Sequence, residues 1–553
     1  MSKKTFLTGA AVLGAAGLLV QMMGAVFRIP LANIIGEVGL GYYQTAYPVY
    51  IFLLVFSTNG APAAISKMTS ERIAAGRPAE AHRVFRLSFV VMLAFGIVAS
   101  LGVVAFAAPL ARFVKSEGSY YSLLAIAPSL LFVPLMSVFR GYFQGMQEMR
   151  PTAVSQLAEQ AIRVAVGLSL AAFFVADSLE LASAGACFGA SVGPLAGILI
   201  LLVIYARRKR RTAGGLSAQE PPARDEDAAK GRSERTGALL KTLVALTVPT
   251  TIGISILPIM NVVDMLLCRI RLTDAGFGAL EAEGLYGLMA GFASPIINIP
   301  MALALSIALS MVPAVAAACG AGDRDFLDTN IRMGLRTAML IGVPCGFGLM
   351  ILAAPILRLI YPAQTVAASA APCLAILGAG VVFLCVAQTM AGILQGLGRA
   401  SLPVFALLAG VAVKFALTYA LTAIPALHIN GAALGSTAGY AVIGVVNLIF
   451  VKRSARVRFD VRLSIVKPLA AGVLMCVAAA LVYFVCGHFL SDGLSTLAAI
   501  CAAAAAYVPA ILKSGAVLPH EVELLPKGKA LAALLRKLHL LKPRKEDEEE
   551  ASR

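Results

Sequence analysis

Arg28 stands in QMMGAVFRIPLAN (21–33), late in a long apolar run. An arginine keeps its proton at every relevant pH, and hydrocarbon charges heavily for it. It must meet a partner, a water-filled cavity or the bilayer edge. Pro30, two residues on, removes a backbone donor and favours a kink. A charge beside a break inside a membrane segment marks a functional site by default. Polar groups of the same kind recur in other apolar runs: Asn59, Arg140, Gln144, Glu159, Arg163, Asn261, Asp264, Asn298, Gln388 and Lys414. Glu159 and Arg163 are one helical turn apart and share a face. They are either a self-neutralising pair that packs one helix on another or part of a transport pathway. Arg140, in FRGYFQG, lies near a span end where snorkelling accounts for it; the alternative for it and Gln144 is gating or anchoring. Asp264, with Asn261 a turn away, is either an acceptor for a coupling cation or proton, or a counter-ion to Lys414 or Arg269. Lys414 is a built-in cation or the counter-ion of such an acid. Asn59, Asn261, Asn298 and Gln388 are interhelical hydrogen-bond formers or ligands. If Arg28, Arg140, Arg163 and Glu159 share a cavity, its charge is net positive. Guanidinium groups match phosphates bidentately, so this sum favours an anionic, phosphate-bearing substrate over a cationic drug.

The elements that must hold these groups are membrane helices. The chain of 553 residues is 59% hydrophobic and 14% charged, with a mean hydropathy of +0.85. Apolar runs long enough to cross a bilayer recur from end to end, without the short alternating segments of a barrel. We expect an all-α polytopic protein of fourteen spans, at roughly 5–33, 40–66, 85–111, 120–145, 152–176, 181–206, 239–267, 284–316, 334–356, 367–394, 402–424, 430–451, 466–488 and 493–512. The first run is too long for a signal peptide and reads as a span. The net charge of +17 suits cytoplasmic loops better than nucleic acid. Lys3, Lys4, Lys67–Arg86, the RRKRR run at 207–211 and Lys452–Lys467 all fall on one side. The other side carries only Arg112, Lys115, Arg269, Arg271 and Arg358. This places both termini in the cytoplasm and the protein in the cell membrane. Residues 1–206 form a first lobe of six spans, 207–238 a polar linker, and 239–451 a second lobe of six. Residues 452–512 add two spans, and 513–553 a cytoplasmic tail with an amphipathic, Lys/Arg-rich stretch and an acidic end. Pro62 and Pro313, Gln144-Gly145 and Gln395-Gly396, and Arg163 and Lys414 recur at one constant offset. Even-numbered blocks make this a parallel pseudo-repeat.

No nucleophile elbow, P-loop or dinucleotide fingerprint lies in a suitable context. The nine cysteines form no CxxC pair, and the five histidines show no ligand spacing. An enzyme, a metal centre and a cofactor are therefore not expected. A membrane glycosyltransferase or polymerase would want catalytic acids in sizeable outer loops, and the longest, about 268–283, has no such pair. Transport would draw on Na+, H+, the membrane potential or substrate flow.

STNGAPAAISK (57–67), FRGYFQGMQEMRPTAVSQLAEQ (139–160) and SPIINIPMALALSIALSMVPAVA (294–316) resemble the SpoVB-type branch of the polysaccharide-transporter family. That branch is similar to the MurJ lipid II flippases of the multidrug/oligosaccharidyl-lipid/polysaccharide exporter superfamily. The resemblance implies two six-helix lobes around a cavity, working by alternating access. It implies an undecaprenyl-diphosphate-linked peptidoglycan precursor, lipid II, as cargo, in vegetative growth or sporulation, with spans 13 and 14 forming a groove for the lipid tail. Membrane lipids, and cell-wall synthesis enzymes recruited by the tail, are the other partners to expect. Arg28 matches the family's span-1 cavity arginine, which implies diphosphate binding; Asp264 resembles a span-7 acid tied to cation binding. One departure is plain: the flippases carry a second arginine in span 8, and Ser294–Pro300 here has none. Arg163 or Lys414 is the expected replacement. The rival cargoes are another polyprenyl-linked glycan, of teichuronic or capsular type, and a cation-coupled drug.

Overall fold

The computed structural model of the chain describes residues 3–213, 236–254, 256–361 and 364–517. Every regular element among them is a helix, because in lipid each backbone N–H and C=O must find its partner within its own segment. The first unit holds α1 (Lys3–Val55), α2 (Ala61–Ala74), α3 (Pro78–Phe113), α4 (Tyr120–Ile126), α5 (Ser129–Gly145), α6 (Met149–Phe174), α7 (Leu179–Ala213), α8 (Thr236–Ile254), α9 (Ile256–Asp274) and α10 (Ala279–Gly287). The second holds α11 (Ser294–Ala321), α12 (Arg324–Ile351), α13 (Ala353–Ile360), α14 (Gln364–Gly396), α15 (Leu402–Leu421), α16 (Ile429–Ala455), α17 (Lys467–Cys486) and α18 (Asp492–Lys513). Local chemistry sets several starts. Prolines open α2, α11, α15 and α17, where no N–H is needed. The Asp323 carboxylate caps α12 by accepting from the Phe326 N–H at 2.9 Å. π-Helical turns interrupt the ladder at Phe56–Gly60, Leu288–Ala293 and Arg462–Val466.

Among the described residues, twelve helical segments are long and apolar enough to cross a membrane, against the expected fourteen. The difference has two sources. The first expected span and the larger part of the second lie in one helical run, α1, which breaks between them at Gly36 (φ 62°, ψ −166°), a conformation that glycine adopts freely. The seventh is divided between α8 and α9. The expected outer loop at 268–283 is mostly helix: α9 runs to Asp274 and α10 starts at Ala279. Charge had ended the apolar run there, yet Arg269 and Glu283 are buried against each other, with Arg269 Nη1 3.2 Å from Glu283 Oε1. At the turn itself Lys115 Nζ donates to Asp274 Oδ1 at 3.1 Å, and that hydrogen bond holds the Asp274 carboxyl below its ordinary range.

The chain divides into two compact units, Met1–Gly291 and Phe292–Arg553. This boundary lies between α10 and α11, and α9 and α10 pack on α1 within the first unit. The two units reuse one packing device. In the first, α5 presses on α2: a Cβ at Gly141 would lie 2.9 Å from the Pro62 carbonyl oxygen, and one at Gly145 2.8 Å from that of Ser66. In the second, α14 presses on α11 in the same way, with Gly392 2.5 Å from Ala308 O and Gly396 2.7 Å from Val312 O. Small residues at such crossings let backbones approach. The packing counterpart of Pro62 is thus Ala308, not Pro313. In the second unit α17 packs on α12 and α18 on α13, and Arg358 pairs with Asp492 at 3.3 Å. Most of the linker and the amphipathic tail lie outside the described residues.

Candidate anion-binding site

A continuous helix would hold Arg28 and Tyr47 ~28 Å apart. The break at Gly36 folds the two halves of α1 together instead, and the Arg28 guanidinium carbon stands 5.8 Å from the centroid of the Tyr47 ring. From α6, the Arg163 guanidinium carbon stands 5.5 Å from the same ring and 5.9 Å from that of Tyr50. Both groups lie within hydrogen-bonding reach of the Tyr47 hydroxyl. Tyr43, Tyr47 and Tyr50 form one ridge at helical spacing, with Tyr43 and Tyr47 stacked at 5.4 Å. Phe27 meets Tyr43 at 6.4 Å, closing the corner between the two halves of α1. Each arginine gains about 0.5–2 kcal/mol from such a ring, which offsets part of the repulsion between two cations sharing it. Among the described residues neither Arg28 nor Arg163 takes part in an ion pair. Arg28 and Arg163 are half-buried as residues, whereas Tyr43 and Tyr50 are buried. Two planar donor forks stand beside one hydroxyl, and planar forks of this kind match the oxygens of phosphate-type anions.

The helix that carries Arg163 packs closely on α7. Gly189 and Gly193 of α7 lie so close that a Cβ on either would come within 2.6 Å of the Arg163 and Glu159 carbonyl oxygens. Glu159 does not form its ion pair with Arg163. Its Oε2 accepts from Arg140 Nη2 of α5 at 2.8 Å, and Arg140 Nε donates to Ser155 Oγ at 3.0 Å. Arg140 therefore turns inward to a partner instead of snorkelling; its side chain is only 13% exposed. The net positive charge expected from four residues reduces to Arg28 and Arg163, since Arg140 and Glu159 cancel.

The other sequence candidates lie elsewhere. Asn59 falls in the π-helical turn Phe56–Gly60. Gln144 is half-buried in the last turn of α5, and Asp264 is buried on α9 with Asn261 exposed a turn earlier. The carboxylate paired with Arg269 is Glu283, not Asp264. Lys414 is buried on α15, Asn298 exposed on α11 and Gln388 half-buried on α14, all in the second unit. Gly435 of α16 sits over the Lys414 carbonyl oxygen as Gly189 sits over that of Arg163. The sequence reading missed the tyrosines and the Arg269–Glu283 pair. The i, i+4, i+7 spacing of Tyr43, Tyr47 and Tyr50 carried the signal for the first; nothing local carried the second.

Comparison with known proteins agrees with this architecture. The family model described as "Polysaccharide biosynthesis protein" matches residues 6–318, and the MatE model matches residues 289–420. Stage V sporulation protein B of Bacillus subtilis (strain 168) is 27% identical over 445 residues, covering 80% of this chain and 83% of its own length. Lipid II flippase MurJ of the same organism is 27% identical over 525 residues, covering 92% of this chain and 94% of its own. A solved structure, "Lipid II flippase MurJ, inward closed conformation", superposes with a TM-score of 0.66 at 15% identity, over 90% of this chain and 98% of that one. The fold is therefore shared. Most of this chain is multi-pass apolar helix, and the family match spans more than half of it, so it belongs to the polysaccharide biosynthesis protein family and is a multi-pass membrane protein with the fold of the solved MurJ and MATE structures.

Proposed function

We propose that this protein flips a polyprenyl-diphosphate-linked glycan from the inner to the outer leaflet by alternating access, and that its cargo is the peptidoglycan precursor lipid II. The observation that carries the reading is the pair of guanidinium groups, Arg28 and Arg163, converging on Tyr47. A diphosphate offers two anionic centres to two donor forks. Arg163 takes the place of the arginine that Ser294–Pro300 lacks. The relative named lipid II flippase MurJ, matched over almost its whole length, supports this cargo over a teichuronic or capsular glycan. The protein works as two parallel six-helix lobes, a reading supported by the glycine packing that recurs in the two units, with both termini in the cytoplasm, a reading supported by the Lys/Arg asymmetry of its loops. Spans 13 and 14 receive the lipid tail. Asp264 and Asn261 are the position for a coupling cation or proton, with the membrane potential as the alternative drive.

Native mass spectrometry of the purified full-length protein tests this. Co-purified lipid II is expected, as is binding of added undecaprenyl diphosphate. Arg28→Gln and Arg163→Gln should each weaken undecaprenyl diphosphate binding by about tenfold to a hundredfold, the worth of a charged hydrogen-bond partner. A different polyprenyl glycan would redirect the cargo. No bound lipid, with efflux of a cationic dye, would favour the drug exporter that the MatE match at 289–420 allows. Wild-type affinity in the Arg28→Gln/Arg163→Gln double variant would overturn the site.

A further inference from the structure

One carboxylate, Glu159, lies within reach of two arginines. Arg163 is the next turn of its own helix; Arg140 comes across from α5. Because Gly189 and Gly193 of α7 clamp the α6 backbone at Arg163 and Glu159, the helix cannot slide to favour either partner. The choice is made by side-chain rotation alone. Arg140 holds the carboxylate at 2.8 Å and is itself anchored by its Nε–H to Ser155 Oγ at 3.0 Å, while the Ser155 hydroxyl donates to the Thr152 carbonyl oxygen at 2.8 Å. This leaves the Arg163 guanidinium on the rings of Tyr47 and Tyr50.

We propose that Arg140 is a positioning residue: it holds Glu159 out of an ion pair with Arg163 and so keeps two guanidinium groups of the anion site, instead of one, outside any ion pair. This rests on the flippase reading above and deepens it. With Arg140 in place the site suits a diphosphate. Without it, Glu159 rotates to Arg163 along the i, i+4 direction, one donor fork is occupied, and the site is left suited to a monophosphate. Arg140 never touches the ligand. Its effect is on which headgroup the site prefers.

The test is a native mass spectrometry titration of the full-length protein with undecaprenyl diphosphate and undecaprenyl monophosphate. Wild type is expected to prefer the diphosphate. Arg140→Gln should lose at least about tenfold in diphosphate affinity with little change for the monophosphate, erasing the preference. Adding Glu159→Gln to Arg140→Gln should restore it, which a merely structural role would not produce. Arg140→Lys, which keeps the charge, should retain the preference. Undiminished diphosphate binding in Arg140→Gln, or no recovery in the double variant, or lost preference in Arg140→Lys, overturns the role of Arg140 while leaving the flippase reading intact. A wild-type protein that binds neither lipid overturns both.

Discussion

Glu283→Gln is expected to destabilise the solubilised protein by about 3–5 kcal/mol, the usual result of removing one partner from a buried ion pair. Arg269 is fully buried and Glu283 nearly so. Among the described residues the Arg269 guanidinium otherwise donates to backbone: Nε to Val114 O at 3.3 Å and Nη2 to Met265 O at 3.2 Å. Its carbon stands 4.3 Å over the Tyr286 ring. A neutral amide at 283 leaves a full positive charge in a low-dielectric setting where carbonyl dipoles and one ring must balance it. A lower Tm and a loss of monodisperse protein should follow. The pair as a whole is a different matter. Replacing both partners by apolar side chains, as in Arg269→Met with Glu283→Leu, removes the charge together with its counter-charge and should recover most of the loss. A Glu283→Gln variant within about 0.5 kcal/mol of wild type, the range of an ordinary surface change, would show that water or another group already screens Arg269.

The same pair shows where sequence reading stops. Hydropathy counts a charge wherever it stands and cannot see its partner, so Arg269 and Glu283 ended a span on paper and became loop residues. Their partnership exists only after α9 and α10 fold back on each other. Arg140 and Glu159 were hidden in the same way: the visible partner of Glu159 was the local one, Arg163, and the actual one arrives from another helix. Tyr47 was unreadable for a further reason. Its contact with Arg28 depends on the left-handed backbone at Gly36, and in a sequence one glycine among 50 does not announce that it alone reverses a helix. What was legible is what depends on composition and local spacing. Apolar runs dictate helices because lipid offers no other backbone partners. Arg28 was conspicuous because its charge is costly in an apolar run. The recurring Gln-Gly pairs were legible because Gly145 and Gly396 are the points where backbones meet, and no other side chain fits there. The equivalence of Pro62 and Pro313 failed because a proline in a span is not itself a packing contact.

Gly287→Ala is expected to cost about 3 kcal/mol or more, at or beyond the upper end of overpacking in a protein core. The added methyl would stand 1.9 Å from the Glu37 carbonyl oxygen and 3.0 Å from the Gly41 amide nitrogen. Both are backbone atoms, so no rotamer change relieves the clash; α10 must move off α1. Gly102→Ala in α3 is the matched comparison, because a Cβ there meets nothing within 4 Å and alanine is the better helix former. Its Tm should hold or rise while that of Gly287→Ala falls by several degrees. Equal Tm values for the two variants would mean that α1 and α10 are not in backbone contact. The displacement should also reach the anion site. Tyr286, the neighbour of Gly287, donates its hydroxyl to the Gln44 carbonyl oxygen at 3.1 Å, and the Gln44 amide donates to Ala290 O. Gln44 lies one turn before Tyr47, the ring on which Arg28 and Arg163 converge. Moving α10 therefore shifts that ring and spreads the two guanidinium groups, so the residual folded Gly287→Ala protein should bind undecaprenyl diphosphate more weakly than Gly102→Ala does. Weakened binding from a residue that touches no ligand is the expected signature of a site whose geometry depends on helix packing rather than on the arginines alone.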